Sequence, residues 1–290
     1  MKKIAVVPNL YKDSDMFCTT KVLDFLLSKE CMVFIPEDYS EPLSAYNGNA
    51  KIQFINEERM YYAVQLVISI GGDGTILKVS HKAASAYLPI LGINMGTVGF
   101  MTELEASEIE LIDSIFTSDY VIEHRMMLDV EVIRDGNTVA SYCALNDAVL
   151  SKGVISKLIE IDLYSNNTKV TFYRADGLII ATPTGSTAYS LSVGGPIIDT
   201  SLECICVTPV SPHSFMNSRP MLYSPKTTLS LKTTRQRDDQ VFLTVDGLDN
   251  LRILYGDEIR IRKSVLTTKI IRIKNTEFYD VVYKKLSERR

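Results

Sequence analysis

The sequence predicts an α/β domain followed by a β-rich domain. Its 290 residues are enough for about two domains of ordinary size. In residues 1–118, short apolar strands alternate with helical segments, which is typical of a parallel sheet covered by helices. In residues 119–274, short strands follow one another with almost no helix between them. The change of pattern near Tyr120 marks the predicted boundary.

The strands of the first domain are apolar on both faces, which indicates a sheet that is buried on both sides. The segment 66–70 is the clearest case, because Ser69 is its one polar residue. We predict, in order, strand 4–7, helix 16–27, strand 31–35, strand 66–70, a helix that ends near Ala86, strand 89–93 and helix 106–116.

The second domain begins with two predicted hairpins, 128–145 and 158–173. They turn at 135–137 and 165–167, where Asp, Gly, Asn and Ser favour tight turns. The remaining predicted elements are strands 178–181, 205–210, 228–231, 241–245, 258–261 and 269–273, and a helix over 277–286.

Composition and charge argue against several classes of function. The 31 basic and 35 acidic residues give a net charge of −4, so no overall positive field attracts nucleic acid. No apolar run approaches the roughly 20 residues that a bilayer requires, and the apolar stretch near the start is too short for a signal peptide. We therefore expect a cytoplasmic protein that binds neither nucleic acid nor membrane. The basic tail, Lys284, Lys285, Arg289 and Arg290, is interpreted as a solvated chain end.

The five cysteines and three histidines are scattered along the chain without a C-x-x-C pair. An odd number of cysteines in that arrangement argues against a disulfide framework and against a zinc ribbon. The sequence therefore predicts a reducing compartment and no metal site built from protein side chains.

The first candidate site is the segment 71–75, Gly-Gly-Asp-Gly-Thr. It follows a buried strand, and Asp73 is the one carboxylate among three glycines. Glycines let the backbone approach a ligand and present N–H groups to an anion, and the helix predicted to start here adds its positive end. The alternative is a tight strand-to-helix turn in which Asp73 caps the helix.

The second candidate site is a loop of small and hydroxyl residues, Thr-Pro-Thr-Gly-Ser-Thr-Ala-Tyr at 182–189, which follows an apolar strand. Small residues such as Gly185 let a flat ring lie against the backbone, hydroxyls supply hydrogen bonds, and Tyr189 can stack on a ring or cover it. The alternative is a turn that merely links two strands.

Two further strand ends are candidates. The pair Asn146-Asp147 suits ribose hydroxyls or the edge of a base, although an Asx turn is the preferred interpretation of the pair taken alone. Residues 91–100 form another strand followed by a glycine-spaced loop, one βα unit beyond the first site. This loop can border the same crevice, and a plain connection is the alternative.

Together these segments resemble the NAD kinase family over nearly the whole chain. The markers are the GGDG loop at 71–74, LGIN-x-G-x-x-GF at 91–100, the Asn146-Asp147 pair, and DGLI-x-x-TPTGSTAY at 176–189. The GGDG loop also occurs in diacylglycerol-type lipid kinases and in 6-phosphofructokinases. TPTGSTAY at the right distance behind it is the specific signal.

The resemblance implies a Rossmann-like first domain, a sandwich-like second domain, and a terminal helix that returns to the first, so that 275–290 join 1–118. It implies transfer of the terminal phosphoryl group of ATP, or of polyphosphate in some members, to the 2′-hydroxyl of the adenosine ribose of NAD. The product is NADP. It also implies a homotetramer, because family sites borrow residues from a neighbouring subunit.

The resemblance further implies roles for individual residues. Asp73 is implied as the general base, and Asn146 and Asp147 as the residues that hold the adenosine part of NAD. Leu248 departs from the family, whose members often have Gln there, so we leave that contact out of the site. The other implied ligand-binding residues are Gly74, Lys78, Lys157, Arg174, Asp176, Thr187, Ala188, Tyr189, Ser190, Leu191 and Ser192.

The expected cofactor is a divalent cation, Mg²⁺, carried on the donor phosphates and not held in a cage of protein ligands. Phosphoryl transfer depends more on alignment and charge neutralisation than on a strong base, so an aspartate can accept the hydroxyl proton late in the reaction. Two other functions remain alternatives: a lipid or sugar kinase, which gives no reason for TPTGSTAY, and a non-catalytic dinucleotide sensor, which has no need of Asp73.

Overall fold

The computed structural model describes residues 1–96, 99–153, 157–213, 218–234 and 240–287, apart from the side chain of Leu286. The chain forms two compact units, the first made of 1–124 and 268–290 and the second of 125–267. The second unit is therefore inserted in the sequence of the first. Within the described ranges, no helix has the length and apolar character needed to cross a membrane.

The regular elements are numbered in chain order. The strands are β1 Lys3–Pro8, β2 Met32–Pro36, β3 Ile52–Ile55, β4 Leu66–Gly71, β5 Pro89–Asn94, β6 Leu104–Glu105, β7 Val121–Arg134, β8 Asn137–Ala144, β9 Asp147–Lys152, β10 Ile159–Ser165, β11 Thr168–Ala175, β12 Gly177–Ala181, β13 Ile205–Val210, β14 Met221–Tyr223, β15 Leu229–Thr233, β16 Val241–Val245, β17 Asp249–Ile253 and β18 Glu258–Arg272. The helices are α1 Phe17–Ser28, α2 Glu57–Ala63, α3 Asp73–Ser85, α4 Ser114–Thr117, α5 Tyr189–Ser192 and α6 Phe278–Ser287.

The first unit is built on a parallel sheet in the order β3-β2-β1-β4-β5, followed by the end of β18. Apolar side chains of α1, among them Leu23 and Leu26, pack with Ile68 and Leu91 on one face of the sheet. Helix α3 packs on the opposite face, where a Cβ atom on Gly92 would lie 2.6 Å from Ile76 Cδ1. The predicted parallel sheet with both faces covered is confirmed.

The strand order fixes where this sheet can bind a ligand. The chain passes from β1 to β2 and β3 on one side, and then returns to place β4 and β5 on the other side of β1. In open parallel sheets, the carboxyl ends of the two strands at such a reversal border a crevice that holds ligands. The loop that begins at Asn9 and the loop that begins at Gly71 both leave the sheet at this point.

The second unit consists of two sheets that share one core. One sheet has the order β14-β13-β12-β9-β16-β17, and the other contains β11-β10-β15-β18 with β7 and β8. Buried side chains of both sheets, among them Leu128 and Ile161 from one and Leu150 and Leu178 from the other, belong to a single apolar cluster. The predicted β-rich, sandwich-like architecture is confirmed.

The structure corrects several predicted elements. Strands 258–261 and 269–273 are one continuous strand, β18, because the polar residues between them also find partners: Arg262 forms ion pairs with Asp129 and Glu131 of β7. The predicted helix 106–116 is a short 3₁₀ helix followed by the single turn of α4. Strand β3 and helix α2 were not predicted, although Asn56 caps α2 by accepting a hydrogen bond from Glu58 N–H. Strands β6, β9, β14 and β17 were also missed.

Candidate active site

The GGDG loop joins β4 to α3 by a close backbone turn. A Cβ atom on Gly71 would collide with the Thr75 hydroxyl, and one on Gly72 would lie 2.6 Å from Lys12 Nζ. Close approach therefore requires glycine at position 71, whereas the neighbour of Gly72 is the tip of the flexible Lys12 side chain. Gly72 is the N-cap of α3 and Asp73 is its first residue, with no side-chain hydrogen bond at the cap. The interpretation of Asp73 as a helix cap is thus wrong.

The Asp73 carboxylate is instead held by the loop that follows β5. Its Oδ2 accepts a hydrogen bond from Phe100 N–H at 2.9 Å, and its Oδ1 accepts one from Met101 N–H at 3.0 Å. A Cβ atom on Gly99 would collide with Asp73 Oδ1, so the loop closes tightly around the carboxylate. The prediction that residues 91–100 border the same crevice is confirmed, although Thr97 and Val98 lie outside the described residues.

The end of β1 also contributes to this site, which the sequence did not predict. Asn9 Nδ2 donates a hydrogen bond to Thr75 Oγ1 at 3.0 Å, and the exposed Lys12 lies beside Gly72. Asn9 and Lys12 follow the first strand of a parallel sheet, and this position could have identified them as candidate site residues. Gly74 and Lys78 are exposed four residues apart on one face of α3, and nothing lies within 4 Å of the position of a Cβ atom on Gly74.

In the second unit, the Asn146-Asp147 pair is held by a third carboxylate. Asp246 accepts hydrogen bonds from the N–H groups of Leu145, Asn146 and Asp147 at 2.7, 2.8 and 3.0 Å. Asp246 and Gly247 have φ values of 51° and 68° in the tight turn between β16 and β17. Asp246 was not among the predicted site residues. The Asp-Gly sequence between two predicted strands indicated a turn. Nothing in it indicated that Asp246 binds the backbone of residues 145–147.

Burial changes the ionisation of the Asp147 and Asp246 carboxyl groups. Desolvation, followed by the negative charge of Asp246, raises the pKa of Asp147 to about 7. Desolvation also raises the pKa of Asp246, against the three amide hydrogen bonds that lower it. Near neutral pH, Asp147 can therefore donate a hydrogen bond as well as accept one. Asn146 adds a buried Oδ1 that has no hydrogen-bond partner in the structure.

These residues line a cavity of about 340 Å³. This volume lies at the lower end of the range for small-molecule sites, so the cavity suits part of a large ligand. The carboxyl groups of Asp147 and Asp246 and the aromatic ring of Tyr189 supply its recognition chemistry. The lining residues are Asn146, Asp147, Val149, Ser151, Ala188, Tyr189, Thr244, Asp246 and Gly247.

Hydroxyl groups of the TPTGSTAY loop and of Ser190 form hydrogen bonds within the protein. Thr182 Oγ1 donates to Leu145 O at 2.6 Å, Thr187 Oγ1 donates to Thr184 O at 3.1 Å, and Ser190 Oγ shares a hydrogen bond with Thr208 Oγ1. Gly185 does not leave room for a ring, contrary to the prediction, because a Cβ atom there would lie 2.8 Å from Asn146 Cα and collide with its carbonyl oxygen. The loop is therefore fastened to the backbone of Asn146.

Comparison with known proteins decides the family. Residues 4–120 match the family model of the ATP-NAD kinase N-terminal domain, and residues 145–273 match that of the ATP-NAD kinase C-terminal domain. The chain belongs to the NAD kinase family. It is a phosphotransferase that phosphorylates NAD with ATP as the donor.

Individual relatives agree with this assignment. The chain is 39% identical to the NAD kinase of Thermoanaerobacter sp. (strain X514) and 39% identical to that of Caldanaerobacter subterraneus subsp. tengcongensis, in both cases over 100% of each chain. Among solved structures, it is similar to the yeast NADH kinase in complex with NADH, with a TM-score of 0.89 and 25% identity. That match covers 99% of this chain and 88% of the yeast chain.

Not all of the residues that the NAD kinase resemblance implies come together in one cavity. Of the loop 187–192, Ala188 and Tyr189 line it, whereas Thr187, Ser190, Leu191 and Ser192 do not. Asp176 pairs with Lys152 at 2.6 Å, at the other end of β9 from Asp147. Arg174 and Lys157 are exposed outside the cavity. Leu248, the departure from the family, is 51% exposed in its turn.

Proposed function

We propose that the acceptor atom is the 2′-hydroxyl of the adenosine ribose of NAD, that the product is NADP, and that Asp73 is the general base. The observation that carries the proposal is the Asp73 carboxylate, which two backbone N–H groups hold at the reversal of strand order. A turn that only linked β4 to α3 would have no use for that arrangement.

In this proposal the first unit binds the phosphates of ATP. The backbone around Gly72 and Gly74, the N-terminus of α3 and the exposed Lys12 and Lys78 supply N–H groups and positive charge for anionic oxygens. Mg²⁺ arrives on the donor phosphates as part of the substrate. In the described ranges, no group of three or more His, Cys, Asp or Glu side chains could hold a metal ion.

The second unit recognises NAD. Asp147, which lines the cavity, either donates or accepts a hydrogen bond, which matches the mixed donors and acceptors of a ribose or of an adenine edge. Tyr189, 45% exposed at the cavity wall, offers a ring face for stacking.

We further propose that the enzyme is a cytoplasmic homotetramer. The support for the oligomer is that Lys157 and Arg174 are exposed outside the cavity of their own chain, where they are available to a neighbouring subunit. The support for the location is compositional, namely the acidic net charge and the scattered cysteines.

The product of the reaction tests the proposed acceptor. The purified chain is incubated with ATP, MgCl₂ and NAD, and the product is identified by mass spectrometry and by its activity with an NADP-specific dehydrogenase. NADH, diacylglycerol and fructose 6-phosphate serve as competing acceptors. Phosphorylation of the lipid or the sugar faster than that of NAD would overturn the proposal, as would phosphorylation of NAD at another hydroxyl.

The variant Asp73→Asn tests the proposed base. It keeps the size of the side chain and removes the charge and the proton acceptor, so we expect kcat to fall by at least about 100-fold, the lower range for general base catalysis. The NAD dissociation constant should stay near its wild-type value, because the residues of the NAD cavity are unchanged. A folded variant with near wild-type kcat would show that the base is another residue.

A further inference from the structure

The basic tail contains one residue that is not solvated. Lys285 belongs to α6, in the same compact unit as Asp73, and its side chain is only 19% exposed. Its Nζ lies 3.3 Å from Asp73 Oδ2 and 4.0 Å from the centroid of the Phe100 ring. The interpretation of the tail as a solvated chain end is therefore wrong for Lys285, whereas Lys284 is exposed. Arg289 and Arg290 lie outside the described residues.

The hydrogen bonds on the Asp73 carboxylate are divided unevenly between its two oxygens. Among the residues that the structure describes, Oδ2 receives Phe100 N–H and the Lys285 ammonium group, whereas Oδ1 receives Met101 N–H alone. An ionised carboxylate has about four lone-pair sites, two on each oxygen. Both sites of Oδ2 are thus occupied, and one site of Oδ1 remains to accept a proton.

The segment before α6 forms hydrogen bonds with the loop that follows β5 and binds Asp73. Arg272 donates to Phe100 O at 3.2 Å, to Thr102 O at 3.3 Å and to Glu103 Oε2 at 3.1 Å. Glu103 Oε1 in turn accepts Ile273 N–H at 2.8 Å and Lys274 N–H at 2.6 Å. These hydrogen bonds hold residues 272–274 against the loop that binds Asp73. They thereby orient α6 so that Lys285 lies beside Asp73 Oδ2.

We infer that Lys285 is a positioning residue of the reaction: it occupies Oδ2 of Asp73 and leaves Oδ1 as the atom that accepts the hydroxyl proton. This inference rests on the proposed role of Asp73. In the step itself, the O–H bond of the acceptor hydroxyl breaks and its proton passes to Oδ1. The electron pair of the hydroxyl oxygen forms the new bond to the terminal phosphorus of ATP, while the bond from that phosphorus to ADP breaks and ADP leaves with its electron pair.

Three variants test the inference. Lys285→Met keeps the length of the side chain and its packing on Phe100 but removes the charged donor. We expect kcat to fall about 10- to 100-fold, the scale of a misplaced catalytic group, with KM for NAD and for ATP within about twofold of wild type. Lys285→Arg restores a charged donor and should recover most of kcat. Lys284→Met removes the neighbouring charge from the same helix and should match wild type.

Thermal unfolding separates positioning from a merely structural role. If Lys285 only fastened α6, Lys285→Met would lower the melting temperature, and kcat per folded molecule would stay at the wild-type value. That result would overturn the inference. So would a folded Lys285→Arg variant that is as slow as Lys285→Met.

The double variant Asp73→Asn/Lys285→Met separates this inference from the proposed base. If Lys285 acts through Asp73, adding Lys285→Met to Asp73→Asn should cause no further loss of kcat. A further loss by the same factor as in the wild-type background would place the action of Lys285 elsewhere and overturn the inference. An active Asp73→Asn variant would instead overturn the proposed base, whatever Lys285→Met does.

Discussion

The carboxylate of Asp246 accepts a hydrogen bond of 2.8 Å from the backbone N–H of Asn146, a residue 100 positions earlier in the chain. Two more N–H groups, from Leu145 and Asp147, bind the same carboxylate. The backbone that presents Asn146 and Asp147 to the cavity is therefore shaped by a residue of another hairpin.

Asp246→Ala should weaken both the fold and the binding of NAD. Each hydrogen bond to a charged group contributes about 1.5–3 kcal/mol, and three N–H groups lose their acceptor together. We expect a melting temperature lower by several degrees and a KM for NAD raised about 10-fold or more, the equivalent of about 1.4 kcal/mol. Asp249→Ala, an exposed carboxylate of the same hairpin, is the control. Equal effects of the two variants would contradict the special role of Asp246.

Asp147→Asn should change how stability depends on pH. The pKa of Asp147 is about 7 in the folded chain against 3.8 for a solvated aspartate, so its favourable contribution is complete below 3.8 and is lost as pH rises through 7. The Asp147→Asn variant has no carboxyl group at this position, so it does not lose this stability as pH rises. We expect the melting temperature of the variant, relative to wild type, to rise by several degrees between pH 5 and pH 8. A constant difference would show that Asp147 ionises normally.

Gly185→Ala should destabilise the second unit. Its added Cβ meets the backbone of Asn146, which cannot move aside as a flexible side chain can, and overpacking of this kind costs about 1–3 kcal/mol. Differential scanning calorimetry should show a lower melting temperature. Gly74→Ala is the control for stability, since open space surrounds that Cβ position, and it should melt at or slightly above the wild-type temperature. An unperturbed Gly185→Ala protein would return this loop to the linker interpretation.

Removal of divalent cations should stop turnover without unfolding the chain. If Mg²⁺ comes with the donor phosphates, excess EDTA abolishes formation of NADP, leaves the melting temperature of the free protein unchanged, and is reversed fully by added MgCl₂. Metal analysis of the purified protein should find no stoichiometric zinc. Full activity in EDTA, or a melting temperature that falls with chelation, would contradict this prediction.

Much of the fold was predictable because its signals are local. Buried strands such as 66–70 are continuous apolar runs, and the hairpin turns contain the residues that tight turns require. Strand β18 was misjudged for a physical reason: the polar residues in its middle looked like a break, and the acidic partners of one of them, Arg262, lie on β7, about 130 residues away. Nothing in the local sequence of the strand indicates an ion pair across that distance.

The candidate functional residues can be divided in the same way, into those with a local sequence signal and those without one. The GGDG and TPTGSTAY loops are contiguous in sequence, and so they were found. Asn9 and Lys285 contact Thr75 and Asp73 of the first unit, and Asp246 contacts Asn146 of the second, all through tertiary contacts. Each of the three looks ordinary in its own segment. Lys285 looked the least informative, because a lysine in a charged tail is solvated in most proteins and only the packing of α6 reveals its partner.

The insertion of residues 125–267 within the first unit has a consequence for biosynthesis. A ribosome makes the chain from the N-terminus, so the second unit, which ends at residue 267 within β18, can fold while residues 268–290 are still being translated. A chain interrupted after residue 267 would contain the whole cavity around Asp147, but its Asp73 would lack both Arg272 and Lys285. The residues around the cavity of Asp147 are therefore synthesised before Lys285, the partner of Asp73.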